Sequence, residues 1–154
     1  MKFKHYIYIF CCIIFIGLFF FCIYAWRNGW EKMSQMDCQC NIKQILISLY
    51  AYAEKNDGWF PDKDGAKGIQ MLYDQNYFNE NSNFVTSCPS VSSGKKSIDY
   101  DYIAGYKIDS DKNIGIVFDR EANHKNYGNI GFVDGRTLPF SGKDWRKNAN
   151  KKSE

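Results

Sequence analysis

The stretch Asn113–Phe140, NIGIVFDREANHKNYGNIGFVDGRTLPF, decides the architecture. Ile114, Ile116 and Phe118 alternate with other residues within Asn113–Asp119, and Ile130 and Phe132 do so within Gly128–Val133. A strand turns successive side chains to opposite faces, so each run reads as a short strand with one face in a core. Asp134-Gly135 follows, with Arg136–Phe140 beyond it. Asp-Gly between two strand-like runs predicts a hairpin with a type I′ turn, which needs positive φ at both central residues. Upstream, Tyr100, Tyr102, Ala104 and Tyr106 keep the same period of two. Residues from about 98 to 140 are therefore expected to form an antiparallel meander.

Before the meander the pattern changes. Residues 79–96 are rich in turn formers, among them Cys88-Pro89-Ser90 and Ser92-Ser93-Gly94. Ile69, Leu72 and Tyr73 suggest a short helix over 66–78. Cys38, Ile42, Ile45, Leu46, Leu49 and Ala53 fall on one stripe at helical spacing. This predicts an amphipathic helix from about 34 to 56. Ser34 and Asp37 can form a capping box at its start, and Asn56-Asp57-Gly58 with Pro61 supplies its stop. A helix laid on an antiparallel sheet gives an α+β fold.

Further back, Tyr6–Trp26 reads YIYIFCCIIFIGLFFFCIYAW, 21 residues without a charge. At 1.5 Å per residue such a helix crosses a hydrocarbon layer of about 30 Å. Tyr6, Tyr8, Tyr24 and Trp26 lie near its ends, where aromatic rings favour the headgroup layer. A cleaved signal peptide has a shorter apolar region and a small-x-small site, which Cys22-Ile23-Tyr24-Ala25 does not provide. The expectation is an uncleaved single-pass anchor over residues 6–26. Three parts follow: an anchor over 1–27, a head over 28–142 and a basic flexible tail over 143–154 with Arg146, Lys147, Lys151 and Lys152.

Composition narrows the function classes. Of 154 residues, 45% are hydrophobic and 18% aromatic, too many for a disordered chain. The formal net charge of +3 carries no strong basic stripe of the kind that binds nucleic acid. Cys11, Cys12 and Cys22 lie in the apolar run, where cysteine acts as apolar filler. Cys38, Cys40 and Cys88 lie beyond it. One disulfide plus a spare thiol suits an oxidising compartment, and three free thiols a reducing one. Their spacing is not that of a zinc site.

Several residues invite chemical readings. His124 with Asp134 has the makings of a base and its orienter, but no credible nucleophile accompanies them. The structural reading has His124 bracing the loop beneath the Asp134-Gly135 turn. No catalytic residue is assigned. Asp109, Asp111 and Asn113 place oxygen side chains at alternate positions, a calcium candidate. Ile114 and Arg120 stand where an EF-hand needs glycine and glutamate, so polar turns are the simpler reading and no cofactor is expected. Tyr100, Tyr102 and Tyr106 could form a sugar- or peptide-binding face, or simply cross-strand pairs.

An apolar helix leading into an amphipathic helix and a small sheet resembles the layout of type IV pilins and type II secretion pseudopilins. The residues sharpen the likeness. His124, nine further residues and Asp134-Gly135 resemble the signature of the prepilin-type H-x9-DG family. Cys40-Asn41-Ile42-Lys43-Gln44, Tyr52, Asn56-Asp57-Gly58, Pro61, Cys88-Pro89-Ser90, Gly128-Asn129 and Phe132 follow that family's pattern in order, over about residues 38–138. The chain departs from it at the start. Gly17 lies inside the apolar run with Leu-Phe-Phe-Phe after it, and cleavage there would leave about nine apolar residues, too few to span a bilayer.

The resemblance implies a pilin-like head and structural signature residues at His124, Gly128, Asn129, Asp134 and Gly135. It implies a disulfide between Cys40 and Cys88, with Cys38 free. It implies a non-enzymatic envelope protein of the bacterial inner membrane, with a cytoplasmic amino terminus and an extracytoplasmic head. Its partners would be the membrane and other envelope or secretion-system proteins, with homo- or hetero-oligomers possible and no nucleic acid. The alternative is a solitary tethered module for a glycan or peptide, and a hydrolase using His124 and Asp134 ranks third.

Overall fold

The structure is a computed structural model that describes residues 2–78, 85–91, 97–124 and 126–150. The chain forms two compact units, one ending at Met33 and one beginning at Ser34.

Helix α1 spans Lys2–Glu54 without a break, so Ser34 and Asp37 lie inside it and cap nothing. Its backbone donors there already have partners one turn back, which leaves a capping box no role. In the first unit every residue described from His5 to Met33 is exposed. In the second unit the helix buries Cys38, Ile42, Ile45, Leu46, Leu49 and Ala53, the stripe that the spacing predicts. The helix stops where Asp57 and Gly58 take positive φ (52° and 80°) and the Gly58 amide bonds the Ala53 carbonyl. This left-handed exit satisfies carbonyls that the last turn leaves open. Helix α2, Ala66–Asp74, buries Ile69 and Leu72, and Asn76 just beyond it also takes positive φ.

The sheet is a four-stranded antiparallel meander in the order β1-β2-β3-β4. Its strands are β1 Tyr100–Tyr102, β2 Gly115–Asp119, β3 Tyr127–Phe132 and β4 Thr137–Ser141. The α+β expectation therefore holds in its coarse form: a long helix and a small antiparallel sheet. One face of the sheet packs on the α1 stripe. A Cβ built on Gly131 would lie 2.7 Å from Ile42 and 3.0 Å from Leu46, so helix and strand touch at backbone distance there. Lys43 and Tyr50 of α1 also donate to the carbonyls of Gly135 and Val133.

The hairpin between β3 and β4 differs from expectation. Gly135 has φ of 80°, but Asp134 is not among the residues with positive φ. The Gly135 amide bonds the Phe132 carbonyl, and the Phe132 amide bonds the Arg136 carbonyl. This is a three-residue loop, a type I turn closed by a left-handed glycine, rather than a type I′ turn. Asp134 accepts from the Arg136 amide and guanidinium instead of bending its own backbone.

Part of the segment expected to be a flexible tail, 143–154, is folded, and Lys151 and Lys152 lie outside the described residues. Trp145–Asn150 forms a 3-10 turn, η1. Trp145 is buried with Phe118, Ile130 and Phe132 on the other face of the sheet. A Cβ on Gly128 would come within 2.2 Å of the Trp145 ring, so only glycine at 128 lets the indole seat. The packing of one aromatic overrides the solvated character of its basic neighbours.

Candidate functional site

Four segments of the chain meet inside the head. Helix α1 supplies Cys38, the loop Val85–Val91 supplies Cys88, the end of β2 supplies Asp119, and the turn before β3 supplies His124. Cys38 Sγ lies 3.2 Å from Cys88 Sγ. Cys88 Sγ lies 3.6 Å from His124 Nε2, and the same nitrogen lies 3.6 Å from Asp119 Oδ2. The His124 and Asp119 side chains are 1% and 0% exposed, and both cysteines are fully buried. Tyr127 stacks on the imidazole with ring centroids 4.3 Å apart.

Each member is held by its surroundings. The Cys88 amide donates to Asp99 Oδ2 at 2.9 Å, and Asn41 of α1 donates to the Ser87 carbonyl at 3.1 Å. These bonds dock the Cys88 loop on the helix. Asn129 donates both its amide (2.8 Å) and its side chain (2.9 Å) to Asp119 Oδ2, and its side chain also reaches the Gln35 carbonyl. Asn129 thus ties strand, carboxylate and helix together. Asn123 donates to the Asp99 carbonyl at 2.7 Å, which fixes the turn that carries His124.

Burial and charge then set the protonation states. The Cys38 thiol is pushed up, first because it donates to Cys88 and next because it is buried. Cys88 is pushed down to about 5 by the Cys38 thiol, with His124 adding to the effect and burial opposing it. Burial pushes Asp119 up to about 6, against the two Asn129 donors that favour its anion. The Tyr100 hydroxyl, which accepts from Asn41 at 3.0 Å, is pushed up by burial. The shifts favour the thiolate on Cys88 and the thiol on Cys38, with the His124 ring and the Asp119 carboxyl beside them.

Three chemistries use such a set. Two adjacent thiols can join. Two sulfurs and an imidazole with all ligand atoms within 4.8 Å of one another can hold a divalent metal. A cysteine with histidine and aspartate can attack a carbonyl, but a relay needs the two partners on different ring nitrogens. Here both face Nε2.

Several expectations need correction. His124 partners Asp119 and Cys88, not the Asp134-Gly135 turn. It lies before β3 and Asp134 after it, and six strand residues at about 3.3 Å separate them. Cys40 is exposed on α1, and Cys38 occupies the place beside Cys88. Cys38 shares the stripe with Ile42 and Ile45, whereas Cys40 points two residues around the helix. Tyr100 and Tyr102 are buried, so they build no surface face with Tyr106. In the calcium candidate, Asp111 accepts from the Asn113 amide and Asn113 accepts from Arg136, while Asp109 is exposed. A guanidinium already sits at that oxygen. Gly128 and Asn129 have the defined roles above, and Gly135 the left-handed turn position. Cys38 and Asp119 were not singled out by the motifs; the helical stripe carried the signal for Cys38.

No protein-family model, no curated protein and no solved structure matches the chain.

Proposed function

We propose that the chain is a pilin- or pseudopilin-like envelope subunit, anchored by residues 6–26, with its α+β head outside the cytoplasm and non-enzymatic work in protein assembly. One observation carries this reading: a single helix, α1, changes from uniformly exposed apolar residues before Met33 to a one-sided buried stripe after Ser34. The first part is long and apolar enough to cross a membrane. A helix that serves two solvents in sequence suits a protein that lies partly in lipid and displays a folded domain. Lys2 and Lys4 before the run favour a cytoplasmic amino terminus, against Arg27 and Lys32 just after it. The buried histidine and cysteines support a structural rather than a hydrolytic role, because both contacts fall on one ring nitrogen. The tethered glycan- or peptide-binding alternative loses its aromatic face with the burial of Tyr100 and Tyr102.

Protease added to intact spheroplasts tests the topology. Loss of the head is expected; a protected head overturns the reading. Photocrosslinkers at Phe15 and Phe19 test assembly. Adducts with a second copy or with secretion-system membrane proteins are expected, and lipid adducts alone leave only a tethered domain.

A further inference from the structure

We infer that Cys38 and Cys88 are a dithiol–disulfide couple that joins helix α1 to the Cys88 loop, with His124 as the base beside it. The two sulfurs are 3.2 Å apart, fully buried, and fifty residues apart in sequence. Two thiolates on one tetrahedral zinc stand about 3.8 Å apart, given bonds of about 2.3 Å. The observed separation is shorter, which favours a sulfur–sulfur bond over a shared metal. Only about 1 Å of further approach is needed for that bond. The Cys88 loop is docked from both sides, by Asn41 and by Asp99, so the partner sulfur is presented rather than met by chance.

The oxidant is a disulfide donor, small or protein-borne. Cys88 thiolate attacks one donor sulfur, the donor S–S bond breaks, and one donor thiolate leaves with the electron pair. Cys38 then passes its proton to His124 Nε2, within 4.8 Å of its sulfur, through one water while the loop is still docking. The Cys38 thiolate attacks the Cys88 sulfur, the Cys88–donor bond breaks, and the second donor thiolate leaves and takes up the proton. One protein thiolate and one thiol are oxidised to the disulfide, and one donor disulfide is reduced to a thiolate and a thiol. Asp119, 3.6 Å from Nε2, stabilises the imidazolium in between. Burial of both sulfurs places this exchange during docking of the loop. That the couple is closed in the cell rests on the extracytoplasmic reading; its ability to close does not.

The full chain, purified in detergent and reduced, would be equilibrated with oxidised and reduced glutathione, quenched with acid, alkylated and mapped without reductant. A Cys38–Cys88 link with Cys40 alkylated is expected. A Cys40–Cys88 link, three free thiols in excess oxidised glutathione, or stoichiometric zinc that protects both buried thiols overturns the couple. Cys40→Ser should close like the parent, and failure to close would overturn it. His124→Gln should close about two- to tenfold more slowly at pH 6, since the gain in thiolate is partly cancelled by lower nucleophilicity. An unchanged rate removes His124 as the base. Alkylation in intact cells separates the two readings: a pair that closes with glutathione but is open in cells upholds the couple and overturns the extracytoplasmic head.

Discussion

The two parts of α1 are both rich in apolar residues and use them in opposite ways. Around Phe15 and Phe19 the side chains are apolar on every side and all exposed. From Cys38 to Ala53 only one stripe is buried, while Ile47 on the other face is exposed. Apolar content alone does not tell a core from a membrane surface; the angular distribution does. The first part is long and apolar enough to cross a membrane, and the second packs on a sheet.

Substitutions can break this contrast. Leu46→Ala empties a site where α1 touches Gly131, and should cost about 2–5 kcal/mol. Thermal melts of the detergent-solubilised chain check it; a parental melting temperature would mean the stripe is not the core. Ile16→Arg should cost about 3 kcal/mol of membrane insertion while leaving the melting temperature of the head unchanged. Fractionation with carbonate washing reads the first, and a shifted head melt would show that the halves are not independent.

Gly128→Ala sharpens the contrast from the sheet's other face. Its methyl would meet the Trp145 ring, which should be expelled at a cost of about 1–3 kcal/mol. Tryptophan fluorescence should shift to the red; an unchanged spectrum would mean the indole is not seated on that glycine.

A pH series probes the polar centre of the same core. Cys88 is depressed to about 5 from 9.0, so its thiolate stabilises the reduced fold above the unfolded value, and this is lost as pH falls through the folded one. Asp119 is raised to about 6, so its contribution has the opposite sign: present below 3.8 and lost as pH rises through 6. Above about pH 7 Asp119 is ionised in both states, so the melting temperature of the reduced chain should rise from there to about pH 8 through Cys88 and level off near 9.0, where the raised Cys38 acts with the opposite sign. Cys88→Ser should flatten the slope, and an equal slope in that variant would assign it elsewhere.

Asp134→Asn should have the smallest effect, within about 0.5 kcal/mol, because the residue is partly exposed and its partner Arg136 keeps Asn113. A large loss would mean that the turn needs the carboxylate.

What the sequence disclosed follows from period. The α1 stripe and the strands around Phe118 and Ile130 repeat every 3.6 or 2 residues, and such repetition survives without knowledge of neighbours. The site does not repeat. Cys38, Cys88, Asp119 and His124 each come from a different segment, and only docking of the loop brings them together. The spacing of His124 to Asp134 drew attention to the wrong carboxylate because a strand lies between them. Trp145 gave no periodic signal in a basic segment; its place is made by the missing side chain at Gly128.

Strand β4 carries one further consequence. The Phe132–Arg136 bond sets the phase of the hairpin, so Thr137, Pro139 and Ser141 turn their backbone groups away from β3. Of these, Thr137 has its carbonyl taken by Gln39 at 2.9 Å, and Pro139 has no N–H to offer. A visiting strand would find only the position at Ser141 intact. The margin therefore disfavours pairing with a further strand, from a second copy of this chain or in a fibre of the amyloid kind.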